Sequence, residues 1–413
     1  MRIVVWGINY PPEKTGIGPC NGALCEFLVE MGNDVTMLTS FAYYPAWRKQ
    51  ARDAGKLFES ETVNGVKVLR CWHYVPAKPN VLTRILHEIS FVTFSGLRLL
   101  VDSRPDLLIV VSPPLFLGAA ARVACSLRGG RYLMHIQDLQ PDAAIRLGMV
   151  RSKILIDLLR RMESVAYQGA WRVSAISQTM LKILRKRGVS KHKLVYLPNG
   201  IQVSPPVKAG WFRELNHFSA NKFLVVYSGN LGAKQGLHTL IDAWKFLTSN
   251  TMELVICGEG SRKKRLMEAA NGLPNVSFKD LLDEQKYHEM LADADLLVIP
   301  LVSGSGDSFL PHKLLTSCAA GKPVLAICDL DSELAQIVTK YRCGEVVSPG
   351  DPHRLALLLD RLSNDRAGLQ CMGHAARELA GRFEQEKVLR QFWEQIESAD
   401  RQVANAELAV SGP

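Results

Sequence analysis

Residues 295–327 hold two short, wholly apolar runs, Leu296-Leu-Val-Ile299 and Val324-Leu-Ala-Ile327, separated by a Gly/Ser-rich segment and a stretch of helical periodicity. Runs with no polar alternation suit a sheet covered on both faces, as parallel sheets are. The unit therefore reads as strand, loop, helix, turn and strand. Residues 303–308 turn freely and present backbone N–H groups. Pro311 suits the first helical position, with Ser308 or Asp307 as its cap. Gly321 ends the helix and Pro323 prevents its continuation. A flexible loop entering a helix N-terminus at the end of a parallel strand is a place for an anion.

The same alternation runs through the chain. A strand at 2–8 leads through a Pro/Gly loop at 9–18 into a helix. That helix carries Ala23, Leu24, Phe27, Leu28 and Met31 at helical spacing and closes at Gly32. Further strands are expected at 35–39, 66–71, 107–111, 131–136, 172–176 and 194–197, with helices at 81–101 and 154–169 and one capped by Ser177. Residues 41–61 have no clean period and read as a long loop. Residues 202–220 are irregular, contain Pro205-Pro206 and read as a linker. The alternation then restarts: a strand at 223–228, a loop at 229–236, a helix at 237–247, a strand at 253–257 and a turn at Gly258-Glu259-Gly260. Beyond it lie a basic helix, a strand at 276–279, a helix at 284–292, a late strand at 345–347, a helix from Asp351 and a last helix from residue 383. Strands alternating with helices of this length give an α/β fold with a parallel sheet between helices. Ligands bind at the carboxyl ends of such strands. The expected domains are 1–201, joined by the helix 383–403, and 202–382, with a frayed tail at 404–413.

Composition sets outer limits. The chain has 413 residues, 47% hydrophobic and 22% charged, enough for two buried cores. Nine cysteines without a CxxC pair read as reduced thiols, not as a disulfide scaffold or a metal site. The N-terminus lacks a signal-peptide pattern. The longest apolar stretch, 107–125, is broken by Pro113-Pro114 and carries Arg122, so it reads as strand, turn and helix. A net charge of +10 accommodates nucleotide or anionic lipid. Its basic residues are not interleaved with aromatics in one element, which argues against nucleic acid.

Four stretches, in order, carry a resemblance: Tyr10-Pro-Pro-Glu-Lys-Thr-Gly-Ile-Gly18, Pro198-Asn-Gly200, Tyr227-Ser-Gly-Asn-Leu-Gly-Ala-Lys-Gln-Gly236 and His312-Lys-Leu-Leu-Thr-Ser-Cys-Ala-Ala-Gly-Lys-Pro-Val324. With them the chain resembles the GT-B retaining glycosyltransferases of bacterial capsule, O-antigen and colanic-acid synthesis. It looks closest to a subgroup that adds fucose or a related sugar. The resemblance implies two Rossmann-like doubly wound domains facing a cleft, with a C-terminal helix crossing back to the first. It also implies an acceptor site in the first domain, a donor site in the second, and transfer with retention. The chain departs from the family at four positions. Asn230 stands at the usual arginine, and Gln235 at the usual lysine with Lys234 beside it. Ser308 and Thr316 stand where the family has two glutamates eight positions apart.

Sugar transfer from a nucleoside diphosphate leaves an anion, so the site needs cations and amide dipoles at the departing phosphate. The expected donor-binding residues are Gly16, Gly18, Gly229, Asn230, Lys234, Gly258, Glu259, Ser308, Phe309, Leu310, His312 and Lys313, with Thr316 as a reduced ribose contact. Lys313 and Thr316, three apart, share a helix face. At the end of the central strand of the first domain His135 and Asp138 are the expected catalytic residues. Asp138, Glu13 and Lys14 are the expected acceptor contacts. No carboxylate pair is assignable, so a double-displacement nucleophile is not supported. Neither metal nor cofactor is expected; Asp329-Leu-Asp331 matches a metal motif in letters but reads as a polar loop. The resemblance further implies a nucleotide sugar as donor, a lipid-linked saccharide as acceptor, and a cytoplasmic protein. Helices 81–101 and 151–161 are the segments that would press on the inner membrane. Two alternatives stay open: a catalytically silent nucleotide-sugar-binding subunit of a polysaccharide assembly complex, and a sugar-nucleotide epimerase of the same fold.

Overall fold

The structure, a computed structural model, describes every residue except 15, 141, 143–144, 146–151, 204–206, 248–249, 305–310 and 411–413, and only the backbone at 402–410. The chain divides into two units, Met1–Gly200 with Gln385–Pro413, and Ile201–Glu384.

The first unit contains β1 (Arg2–Trp6), α1 (Gly18–Glu30), β2 (Asp34–Ser40), β3 (Phe58–Val63), β4 (Val66–Cys71), α2 (Val81–Val101), β5 (Leu107–Ser112), α3 (Phe116–Arg128), β6 (Tyr132–Ile136), α4 (Lys153–Gly169), β7 (Arg172–Ala175), α5 (Gln178–Lys186) and β8 (Leu194–Tyr196). Its sheet has the order β3-β4-β2-β1-β5-β6-β7-β8. Every pair is parallel except β3 with β4. The strands are apolar throughout because each face has its own core. Val4, Trp6, Leu108 and Val110 pack with Phe91, Leu99, Leu117 and Ala166 of α2, α3 and α4. Ile3, Val5, Leu107 and Ile109 point the other way, onto Leu24 and Leu28 of α1 and onto Phe392 and Trp393.

The second unit contains α6 (Trp211–Leu215), β9 (Phe223–Ser228), α7 (His238–Trp244), β10 (Met252–Cys257), α8 (Lys263–Ala269), β11 (Val276–Lys279), α9 (Glu284–Asp293), β12 (Leu296–Pro300), α10 (His312–Ala319), β13 (Val324–Ile327), α11 (Glu333–Tyr341), β14 (Gly344–Val347), α12 (Pro352–Asn364) and α13 (Arg366–Arg382). Its sheet, β11-β10-β9-β12-β13-β14, is parallel throughout. α14 (Gln385–Val410) closes the chain. In each sheet the first strand has neighbours that continue in opposite directions: β1 lies between β2 and β5, and β9 between β10 and β12. Such reversals open a crevice at the carboxyl ends.

Several expectations need correction. Residues 58–63 are not loop but the antiparallel edge strand β3. Its sequence reads polar because an edge strand exposes much of both faces. The Asn64-Gly65 dipeptide, with φ of +48° and +80°, closes the hairpin and is the signal that the polar composition hides. Pro311, with ψ of 124°, is the N-cap of α10 and not its first helical residue. The other cap candidates, Asp307 and Ser308, lie outside the described residues, as do Pro205 and Pro206. The linker region is not wholly irregular. It contains α6, held by the buried Asp293 carboxylate, which accepts from the backbone N–H of Gly210, Phe212 and Arg213. The last helix begins at Gln385, not at residue 383, and takes in residues 404–410 that were expected as tail. Among the described residues no helix is long and apolar enough to cross a membrane.

Candidate functional site

In the second unit the reversal point brings two glycine turns together. Gly229 follows β9 with φ of +140°, and Gly258 follows β10 with φ of +150°. Gly229 N–H donates to Cys257 O at 2.8 Å, and Leu231 N–H to Glu259 O at 2.8 Å. A Cβ on Gly258 would lie 1.9 Å from Gly229 O, so the two turns touch backbone to backbone. Only glycine fits such an approach.

Lys313, in the first turn of α10, reaches this junction. Its Nζ donates to the Tyr227 hydroxyl at 2.8 Å, and that hydroxyl donates to Asn230 O at 2.7 Å. Nζ also lies 4.2 Å from the centre of the Tyr227 ring. A Cβ on Gly229 would stand 2.1 Å from it. Burial disfavours the charged amine and pushes it down to about 8. Among the described residues this half-buried cation, held by a phenol and a ring face, has no anionic partner, and a bound diphosphate would supply one.

The other expected donor residues fall around this junction in different ways. Asn230 and Lys234 are exposed, and Lys234 O accepts from Val302 N–H at 3.0 Å. Glu259 pairs with Lys263 at 2.5 Å, and Lys263 with Asp280 at 2.6 Å. His312 opens α10 and is exposed. Thr316 Oγ1 donates to Lys313 O at 3.0 Å and lies 3.4 Å from the Tyr287 hydroxyl. Its hydroxyl is therefore engaged with its own helix. Ser308, Phe309 and Leu310 lie outside the described residues.

In the first unit, Gly16 has φ of +73°, and a Cβ on Gly18 would lie 3.1 Å from Glu13 O. Lys14 is exposed. Glu13 is buried. Its Oε1 accepts from Tyr43 and Tyr44 N–H, both at 2.9 Å, and its Oε2 from Asn9 at 2.8 Å. Burial raises its pKa, against the lowering effect of those bonds. Glu13 thus pins the loop after β2.

His135 lies at the end of β6, inside a side-chain network. Gln137 Nε2 donates to its Nε2 at 2.9 Å, which leaves Nδ1–H to donate to Ser174 Oγ at 2.9 Å. Gln137 and Asn199 bond reciprocally at 2.9 Å in both directions. Both nitrogens are thus engaged, and burial pushes its pKa down to about 4, which keeps the ring neutral. Asp138, half-buried, follows Gln137 beyond the end of β6.

Sequence reasoning missed Tyr227, Gln137 and Asn199 as site residues. Tyr227 and Asn199 stood inside quoted motifs, but only the fold shows their partners. It also missed a ring cluster of Tyr43, Trp47, His73 and His87, whose members come from three separate segments.

Comparison with known proteins bears on the family and the fold. Residues 15–200 match the glycosyl transferase 4-like domain, and residues 212–379 match glycosyl transferases group 1. The putative colanic acid biosynthesis glycosyl transferase WcaI of Escherichia coli K12 is 31% identical over 412 residues, covering 95% of this chain and 98% of that protein. The probable glycosyltransferase WbjE of Pseudomonas aeruginosa is 25% identical over 243 residues, covering 57% of this chain and 60% of its own. Among solved structures, sucrose-phosphate synthase from Thermosynechococcus elongatus superposes with a TM-score of 0.76 at 19% identity, covering 98% of this chain and 99% of its own. HepE of Anabaena in complex with UDP-glucose gives 0.69 at 16% identity, covering 96% and 100%. Both structures share with this chain the GT-B fold, built of two α/β domains.

Proposed function

The chain belongs to the glycosyl transferases group 1 family, and we propose from that premise that it moves a sugar from a nucleoside-diphosphate sugar to a lipid-linked saccharide in extracellular polysaccharide synthesis. The observation that carries the donor half is the Lys313 ammonium, half-buried at the Gly229–Gly258 junction beside a phenol. As the glycosidic bond breaks, negative charge grows on the leaving diphosphate. Lys313 and the N-terminal amides of α10 are placed to hold it, and such preorganised charge is worth several kcal/mol in a water-poor site. Glycine at 229 lets phosphate and ammonium meet without a side chain between them. Lys234 and His312 extend the cationic and polar rim.

Transfer with retention, and without metal or organic cofactor, follows the family resemblance. Asp138 and Lys14 face the acceptor in this reading, while His135 and Glu13 hold the loops that present them. The support for an acceptor on a lipid is twofold. The WcaI relative is described as acting in colanic acid biosynthesis. The α2 helix also leaves Leu82, Leu86, Ile89, Leu97 and Leu100 exposed on one face, as a surface-bound amphipathic helix does. Arg151, expected in the second membrane-facing helix, lies outside the described residues; α4 adds exposed Ile154 and Leu158 beside Arg160 and Arg161.

The test is turnover with a panel of nucleotide sugars, GDP-fucose among them, and a prenyl-diphosphate saccharide. Acceptor-dependent release of nucleoside diphosphate is expected. Interconversion of the sugar without acceptor, or binding without turnover across the panel, overturns the proposal.

A further inference from the structure

A polar aromatic cluster of the first unit takes no part in the donor chemistry. Beyond the carboxyl ends of β2 and β4, three rings pack edge to face. The centroids of His73 and His87 are 5.0 Å apart, with Tyr43 at 5.0 Å and 4.7 Å from them. Trp47 lies across this group, 5.5 Å from Tyr43 and 5.4 Å from His87. A cluster that served packing alone would have its buried polar atoms paired. Among the described residues Nε2 of His87 is buried without a hydrogen-bond partner, and His73, 0% exposed, has at most a weak contact with the Cys71 backbone. His87 Nδ1 bonds Tyr74 O at 2.5 Å, so in the neutral ring Nε2 is a bare acceptor. It becomes a donor only on taking a proton.

The charges around the cluster point to what would bring that proton. Lys49 and Arg84 are the side-chain charges that bear on the two imidazoles, and both are positive. Lys49 stands 4.7 Å over the Trp72 ring and Arg84 5.3 Å over Trp47. The carboxylates nearby are already engaged: Glu13 by Asn9 and two backbone N–H groups, Glu88 by Gln140 at 2.9 Å. Asp53 faces Lys49 and lies 3.8 Å from Arg52. Burial lowers the pKa of both histidines, and the cations lower it further. Among the described residues no uncommitted carboxylate faces the two imidazoles.

The cluster's surroundings narrow the class of anion it would take. His87 and Arg84 lie on one flank of α2, and the exposed apolar residues Leu82, Leu86 and Ile89 line the same two turns on another. Trp47 holds φ of +51°, uncommon for a bulky residue, in a strap whose other residues at 44–50 are largely exposed. The strap is the part that would swing to admit a ligand.

We propose that this cluster takes the diphosphate of the prenyl-linked acceptor, with Lys49, His73, Arg84 and His87 as its ligands and the exposed face of α2 along the prenyl chain. The inference rests on the lipid-linked acceptor proposed above and names where it is held. A phosphoryl group on a long alkyl chain also describes a phospholipid, so the test separates the two.

Full-length protein is dialysed to equilibrium against farnesyl diphosphate, farnesol or inorganic pyrophosphate, and sedimented with phosphatidylglycerol vesicles. Saturable binding of farnesyl diphosphate is expected, with farnesol much weaker. The variants Lys49→Gln, at a half-buried position, and Arg84→Gln, at an exposed one, each weaken it about tenfold, the usual effect of losing a charge-assisted bond. Leu86→Ser weakens farnesyl diphosphate but not pyrophosphate. Lys313→Ala leaves binding in place, because the probe is not in the donor site. The assignment falls if the Lys49→Gln/Arg84→Gln double variant binds as wild type, if farnesol binds equally well, if Lys313→Ala abolishes binding, or if only the vesicles are bound. Charge-dependent probe binding without acceptor-dependent turnover would overturn the proposed function and keep the binding site. Turnover with an indifferent double variant would do the reverse.

Discussion

The Lys313 ammonium donates to the Tyr227 hydroxyl at 2.8 Å while lying 4.2 Å from the centre of the same ring. Burial raises the phenol's pKa, so it stays neutral and acts as acceptor toward the amine and donor toward Asn230 O. Tyr227→Phe keeps the ring and removes the acceptor. A lost bond to a charged group costs about 1.5–3 kcal/mol. Donor affinity should fall about tenfold, and the pH at which it declines should move below that of wild type, because the amine loses a partner for its charged form. Calorimetric titration across pH 6.5–9 measures both; a merely structural role for Tyr227 would leave the pH midpoint in place.

Gly229→Ala places a methyl 2.1 Å from Lys313 Nζ at a backbone φ of +140°. The side chain of Lys313 must leave, and the turn is strained as well, by about 1–3 kcal/mol. The expected result is a donor affinity at least tenfold weaker together with a lower Tm. Lys313→Ala should show the affinity loss without the loss of Tm, and comparing the two in thermal melts separates geometry from strain.

Much of this was legible in the chain itself. The apolar runs at 296–299 and 324–327 became β12 and β13, and the glycine loops fell at the strand ends where a doubly wound sheet binds. What stayed hidden was partnership across sequence. Nothing local to His135 shows that Gln137 and Ser174 engage both its nitrogens. Nothing local to Lys313 shows that a tyrosine 86 positions away accepts from it. The edge strand β3 escaped because its burial is slight and its hydrophobic alternation correspondingly weak.

His135 gives a pH prediction. Its pKa of about 4 in the folded chain lies below the ordinary 6.5, so the unfolded chain binds more protons between those values. Stability is therefore full above about pH 6.5 and is lost as pH falls toward 4, by about 3 kcal/mol. His73 and His87, also lowered by burial, act in the same direction. Urea unfolding at pH 4.5 and 7.5 should show this loss. His135→Gln should be less stable at pH 7.5 and show a smaller difference between the two pH values.

Asp293 is a structural test of the region between the two sheets in sequence. Its carboxylate accepts from Phe212 N–H at 2.7 Å and Arg213 N–H at 3.0 Å, as well as from Gly210 N–H. Asp293→Ala leaves three backbone donors unpaired and should cost about 2–4 kcal/mol, read as a lower urea midpoint. Asp293→Asn should recover part of it.

The central claim is that Lys313 holds the donor diphosphate, and its pKa of about 8 makes the claim directly measurable. The nucleoside diphosphate released from the active donor is titrated calorimetrically into wild type and Lys313→Ala from pH 7 to 9. Affinity for wild type should fall as pH rises through about 8, when the free amine loses its proton. Lys313→Ala should bind at least tenfold more weakly at pH 7 and show no step near 8. Equal affinity and the same pH profile in both proteins would contradict the account.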